Sequence, residues 1–294
     1  MRKKNHPRGD WWSAFLLRAL VGVVFVLLAL LIGFILWFSL PVFLARDTQV
    51  FSSVWQPGQG RFGIVPMIVG SALLAVSASL AAFPMAVGIC GFCLIHPRAM
   101  ATRVVRYLVK LMAGIPTVVY GLAALFLLIP LLRDVFGQGS GFSLLAAVMM
   151  VVLLILPVMV MILDSQLTPF HENIALSATA LGMRPRETVL YVVIPHSVRA
   201  LTTAAILGFS RAIGDTMLPL MLAGNATQMP DSAFDSIRTL TAHIGLVIAT
   251  EKGSAAYNSL FAAGLVLLAI SLFVTLLTRS VGGRQIRAME GAGL

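Results

Sequence analysis

The chain has 294 residues, of which 59% are hydrophobic and only 11% are charged. Soluble domains average about 45–50% apolar and about 25% charged residues, so no water-soluble fold could hide this much apolar surface. The net charge of +10 could suggest a nucleic-acid partner, but the placement of the basic residues, described below, explains it without one.

Long uncharged stretches follow one another along the chain. A membrane helix needs about 20 apolar residues to cross about 30 Å of hydrocarbon. Five uncharged stretches exceed this length, and a sixth apolar stretch, at about 200–224, is interrupted by Arg211 and Asp215. We therefore predict an all-α integral membrane protein with about six transmembrane helices. The uninterrupted stretches cover residues 19–45, 62–97, 111–132, 135–163 and 253–278.

The first stretch follows a cluster of four basic residues, as the core of a secretory signal would. It is longer than the apolar core of about 7–15 residues that signals have, and it lacks a convincing small-residue cleavage site. We interpret it as a retained helix. The predicted organisation is an N-terminal segment at 1–18, a transmembrane domain at 19–279 and a C-terminal tail at 280–294.

The basic residues divide unequally between the two sides of the membrane. With six spans, fifteen of the 21 Lys and Arg fall on one side and five on the other, and Arg211 lies within the membrane. Cytoplasmic loops carry such an excess. We therefore expect both termini on the cytoplasmic side of a bacterial inner membrane, and no nucleic-acid partner.

The sequence offers no metal or nucleotide site. Cys90 and Cys93 form a C-x-x-C pair, but a redox motif needs a thioredoxin-like context and structural zinc needs four ligands. The five histidines form no metal-ligand spacing, and no G-x-x-x-x-G-K-[ST] run is present. We interpret both cysteines as core residues and expect no cofactor in this chain.

The loop at 164–199 is longer than a simple connection requires. Thr168–Pro169 predicts a helix start, and Gly182 can end that helix in a left-handed conformation. Pro185 and Glu187 can then open a second helix. Two short helices joined by a glycine turn would give a partner protein a surface to bind on the cytoplasmic side.

Arg211 is a candidate functional residue because a guanidinium inside a membrane persists where it faces a cavity or a partner. Asp215 lies four residues on, so the two side chains can pair on one helical face. One interpretation is a self-neutralising ion pair; the other is that Arg211 binds an oxyanion while Asp215 orients it. Ser71 and Thr117 could hydrogen-bond substrate or could pack helices.

The loop at 164–199 resembles a segment of ABC importer permeases, which reads E-A-A, three residues, Gly, nine residues, Ile-x-Leu-Pro. An ordinary loop with two capped helices would explain the glycine and prolines but not their register. The resemblance implies that the loop docks on an ATPase subunit through Ser177, Ala178, Gly182 and Pro195. Leu176 departs from the pattern, because the family has glutamate there. The matching segments are Leu176-Ser177-Ala178, Gly182 and Val192-Val193-Ile194-Pro195.

Three further segments resemble permeases of phosphate-specific ABC importers, and the PstC type more than its PstA partner. The resemblance implies that Arg211, Asp215, Thr216 and Thr117 belong to the substrate path, although Asp215 replaces the usual glutamate. The segments are Arg211-Ala212-Ile213-Gly214-Asp215-Thr216-Met217, Gly114-Ile115-Pro116-Thr117-Val118-Val119-Tyr120-Gly121, and Phe62-Gly63-Ile64-Val65-Pro66 with Gly70-Ser71.

The resemblance also implies partners. These are ATPase subunits that carry ATP and Mg, a second homologous permease that makes a heterodimer, and an extracytoplasmic phosphate-binding protein. This chain would be a non-catalytic permease. The alternatives are an importer for sulfate or molybdate, a stand-alone transporter or channel, and an intramembrane enzyme, for which we find no converging nucleophile, base or metal ligands.

Overall fold

The computed structural model describes residues 9–44, 51–56, 59, 61–137, 139–248, 257 and 260–276. Most of these residues are helical. A short antiparallel hairpin, β1 (Trp55–Gln56) and β2 (Arg61–Phe62), follows the first helix. The helices are α1 (Gly9–Leu44), α2 (Val65–Ile95), α3 (Met100–Gly114), α4 (Thr117–Phe136), α5 (Leu144–Ala180), α6 (Pro185–His196), α7 (Val198–Ile213), α8 (Met217–Leu222), α9 (Leu240–Val247) and α10 (Leu260–Leu276).

The structure confirms an all-α membrane-protein fold. Helices α1, α2, α4 and α5 are each long and apolar enough to cross a membrane. Helices α6 and α7 make a further candidate span that bends by 70° at Ser197. Helix α10 is a shorter apolar helix in the stretch predicted at 253–278, and the rest of that stretch lies outside the described residues apart from Tyr257. Residues 1–8 of the predicted segment 1–18 and all of the predicted segment 280–294 also lie outside the described residues.

Small residues bring α2, α5 and α7 together. Ala75, Ala78, Ala82 and Ala86 are fully buried along one side of α2, and a Cβ at Gly208 of α7 would collide with Met159 of α5. Membrane helices have no hydrophobic driving force between them, so close backbone approach and van der Waals packing hold them together. These three helices form the core of the described fold.

Helix α5 corrects one expectation. It runs for 37 residues without a break, through Pro157 and Pro169, so Thr168–Pro169 does not start a helix. The Thr168 hydroxyl instead donates to Asp164 Oδ1 at 3.0 Å. At 1.5 Å per residue the helix is roughly 55 Å long, which exceeds the about 30 Å hydrocarbon core. One end of α5 must therefore project out of the membrane.

Two helices contain a wide π-helical turn, and each is followed closely by a proline. The turn at Ala124–Leu128 precedes Pro130 in α4, and the turn at Thr188–Val193 precedes Pro195 in α6. Proline has no N–H and its ring collides with the carbonyl four residues earlier. The wider turn lets α4 continue past Pro130 to Phe136, whereas α6 ends at His196, one residue after Pro195.

The segment between α8 and α9 covers the start of α5. The N–H groups of Leu144 and Leu145 donate to the carbonyls of Asp235 and Ala233 at 2.9 and 2.8 Å. The first N–H groups of a helix have no partner within the helix. Here two of them bond to carbonyls of the loop, and these bonds hold the loop on α5. The loop therefore has a defined structure between α8 and α9.

Candidate functional site

The apolar stretch at 200–224 is broken where the sequence places Asp215. Helix α7 ends at Ile213 and α8 begins at Met217. Asp215 is buried, and its Oδ2 accepts a hydrogen bond from the Leu218 N–H at 3.0 Å. Its carbonyl accepts one from the Thr241 hydroxyl at 2.8 Å. We call residues 211–217 the span break.

Arg211 lies on the last turn of α7 and is exposed. It forms no ion pair or hydrogen bond with any other described residue, so the expected pair with Asp215 is not present. The spacing of four residues aligns side chains only while a helix continues, and α7 ends before Asp215. The carboxylate bonds to the backbone of α8 instead.

Helix α4 packs directly on α8. A Cβ at Gly121 would lie 2.5 Å from Met221 Sδ and 3.7 Å from Leu218 Cδ2, so only glycine permits this contact without movement of Met221. The Tyr120 hydroxyl donates to the Met112 carbonyl at 2.9 Å, which fixes the corner between α3 and α4. Thr117 begins α4 and is half-buried. The segment at 114–121 therefore packs on α8, the helix that follows the span break.

The start of α2 packs on the segment that leads into α9. A Cβ at Gly70 would lie 2.6 Å from the Arg238 carbonyl oxygen. Ser71 is buried, and its Oγ accepts the Leu240 N–H at 2.8 Å. In this structure Ser71 stabilises the start of α9, which is the packing role of the two roles considered for it.

Helix α9 is the part of the site that the sequence analysis did not anticipate. Thr239 caps its start, with its hydroxyl accepting the Ala242 N–H at 3.1 Å, and a Cβ at Gly245 would lie 3.8 Å from the Thr216 methyl. A threonine followed by an apolar run is an N-terminal helix signal, and it could have revealed α9. The helix links α2 to the span break.

His243 of α9 is fully buried against Trp55, with ring centroids 4.4 Å apart and ring planes nearly perpendicular. Neither ring nitrogen has a hydrogen-bond partner among the described residues. Burial lowers the pKa of His243 to about 4, with a smaller contribution from the Arg238 charge. The imidazole is therefore neutral at physiological pH.

The predicted coupling loop has a well-defined turn. The Met183 N–H donates to the Ala178 carbonyl, and the Gly182 N–H donates to the Thr179 carbonyl, each at 3.0 Å. This pair of hydrogen bonds is the Schellman motif that ends helices. The motif requires a left-handed residue, and Gly182 has φ +78°. Glu187 Oε2 then accepts the Arg184 N–H at 2.8 Å to begin α6.

We call residues 176–187 the coupling turn, and most of its surface is exposed. Ser177 and Gly182 are exposed, Ala178 is buried, and Pro195 is exposed within α6. Leu176 and Leu181 are 85% and 81% exposed. Two leucines at this exposure on one turn make an apolar surface that a partner protein could cover.

The cysteines behave as core residues. Cys90 and Cys93 are buried free thiols on α2. Within the described ranges, no group of three or more His, Cys, Asp or Glu residues could hold a metal ion.

The family model described as "binding-protein-dependent transport system inner membrane component" matches residues 85–287. The chain belongs to this family. It is therefore an inner-membrane permease of an ABC importer, in a family whose members work with a separate ATPase and a substrate-binding protein. The span break and the coupling turn both lie within the matched region.

Sequence relatives of the permease include PstC proteins. It is 33% identical over 236 residues to the probable ABC transporter permease protein YqgH of Bacillus subtilis, covering 79% of this chain and 76% of that protein. It is 27% identical over 294 residues to the phosphate transport system permease protein PstC of Xylella fastidiosa, covering 93% and 89%. The resemblance to the PstC type is thus confirmed.

The fold also matches a solved transporter. An inward-facing structure of the MetNI methionine ABC transporter superposes with a TM-score of 0.58 at 16% identity, covering 78% of this chain and 99% of that one. This likeness concerns the fold alone. It confirms the ABC importer permease architecture.

Proposed function

We propose that this permease forms part of the membrane path for inorganic phosphate, with Arg211 contacting the ion. The observation that carries the proposal is an exposed guanidinium, at a break in an apolar span, that has no partner among the described residues. An arginine facing lipid is costly, so Arg211 must face a water-filled path or a partner chain. The sequence relatives named for phosphate transport support phosphate as the anion.

A guanidinium suits this ion for chemical reasons. Its planar set of donors matches the oxygens of phosphate, and it keeps its charge at every physiological pH. Thr216 lies in the span break, and Thr117 begins α4, which packs on α8. In this proposal both residues offer hydroxyl groups to the ion. Both are half-buried.

Asp215 has a second role in this proposal. Its carboxylate holds the start of α8, and we assign its negative charge a part in setting the affinity for the ion. A negative charge near the site weakens phosphate binding, so the ion is released rather than trapped. A conduit needs weak binding.

The coupling turn is the surface that we propose docks on the ATPase subunit, which carries ATP and Mg. Leu176 stands where similar permeases have glutamate, and its exposure makes an apolar contact the natural replacement for an ion pair. Both termini lie in the cytoplasm in this proposal. A second, homologous permease completes the path beside Arg211.

Uptake of radiolabelled phosphate into proteoliposomes tests the substrate. The assembled complex, with its ATPase and binding protein, should accumulate phosphate only with ATP inside, and a tenfold excess of sulfate or molybdate should not compete. Uptake of either competitor in place of phosphate would favour the other candidate, an importer for another oxyanion. The guanidinium alone does not distinguish these ions.

A further inference from the structure

Helix α3 presents three different surfaces. Thr102 and Val109 are buried against the rest of the fold. A second side is apolar and exposed, formed by Met100, Val104, Leu108 and Leu111. A third side carries the basic residues of the helix. Amphipathic helices of this kind lie at the boundary between a membrane and water.

The basic side of α3 lines a cavity of about 370 Å³. Small-ligand sites typically have about 300–1,000 Å³. The Thr102 hydroxyl donates to the His96 carbonyl at 2.6 Å, and this bond fixes the corner between α2 and α3 at the cavity wall. The cavity is lined by Pro97, Thr102, Arg103, Arg106, Tyr107 and Lys110.

The charges in this cavity are only partly balanced. Arg106 forms an ion pair with Asp164 of α5 at 2.8 Å. Arg103 and Lys110 are exposed, and neither forms an ion pair with a described residue. The unpaired Arg103 and Lys110 and the Tyr107 phenol therefore line the cavity. Cations and a hydroxyl donor are groups that bind a phosphate group.

We propose that this cavity binds the phosphate group of an anionic phospholipid. Free phosphate has the same chemistry, but the exposed apolar side of α3 lies beside the basic one and can accommodate acyl chains. Basic pockets on the cytoplasmic side of membrane proteins attract anionic head groups, and the charge distribution puts α3 on that side. Asp164 ties the site to α5, the helix that carries the coupling turn.

Retention of radiolabelled phosphatidylglycerol by the purified transporter complex in detergent tests the proposal. Arg103→Gln with Lys110→Gln should weaken retention by roughly tenfold or more, since each interfacial cation contributes about fivefold. Arg103→Lys with Lys110→Arg keeps both charges and should retain the lipid. Arg61→Gln with Arg133→Gln removes two exposed charges on the opposite predicted side and should change nothing.

Three readouts decide the outcome. Phosphatidylcholine retention and the thermal midpoint should be equal in all variants, which excludes misfolding as the cause of a loss. If radiolabelled inorganic phosphate binds and only this binding is lost in Arg103→Gln with Lys110→Gln, the cavity is a phosphate-group site for the free ion and the lipid assignment is wrong. Unchanged binding of both ligands in that variant would overturn the proposal.

Discussion

The coupling turn and the span break are both glycine-marked interruptions of apolar helices, but they are held in different ways. The coupling turn is closed by backbone bonds between residues at most five positions apart. The span break has one local bond, from the Leu218 N–H to Asp215, but it also depends on contacts with α9, and through it with α2, which come from residues at least 26 positions away. The first is therefore a local structure free to meet a partner, whereas the second exists only in the folded bundle.

The largest predicted effect concerns the coupling turn. Leu176→Asp with Leu181→Asp should reduce association with the ATPase subunit by more than about tenfold, because the charges would be buried in the interface. Both side chains are exposed in the free permease, so its free energy of unfolding should change by less than about 0.5 kcal/mol per substitution. Co-purification and thermal unfolding measure the two quantities. A large loss of stability would show that the turn is not a free surface.

At the span break, by contrast, we expect a substitution to lower the stability of the permease itself. Asp215→Ala leaves the buried Leu218 N–H without its acceptor, which costs about 1–3 kcal/mol. Asp215→Asn keeps an acceptor oxygen and should cost less than half as much. Unfolding of the purified permease in denaturant measures the difference. Equal losses for the two variants would mean that the charge, rather than the hydrogen bond, holds the break.

The smallest effect at neutral pH concerns His243, which packs in the helix that supports the break. Its pKa is about 4 in the folded protein against an ordinary 6.5, so between these values the unfolded state binds more protons. Stability should be full above about pH 6.5 and should fall as the pH drops towards 4. In His243→Gln, the thermal midpoint should change less with pH between about pH 4 and 6.5. An unchanged slope in the variant would assign the loss to other groups.

Local rules predicted the coupling turn but not the span break. Gly182, Pro185 and Glu187 act through their own backbone, so their roles follow from residue type and spacing. Thr168–Pro169 misled because the same two residues also fit inside a long membrane helix, where proline is tolerated.

Helix α9 was missed although Thr239 gives a local start signal, whereas the missed contacts depend on tertiary structure. The ion pair between Arg211 and Asp215 was expected from a helix that ends too early. The bond from Thr241 to Asp215 and the pair of Arg106 with Asp164 join residues that only the folded bundle brings together. No local pattern distinguishes these partners from other polar residues.

The most direct test of the central claim, that Arg211 contacts phosphate, is phosphate uptake by Arg211→Gln combined with Asp215→Asn. The asparagine keeps an acceptor for Leu218, so α8 should remain in place. Loss of a charge-assisted contact should hold uptake below about one tenth of wild type at equal amounts of assembled complex. Recovery to near the wild-type rate would show that the two charges only neutralise each other, and would contradict the assignment of Arg211 to the phosphate path.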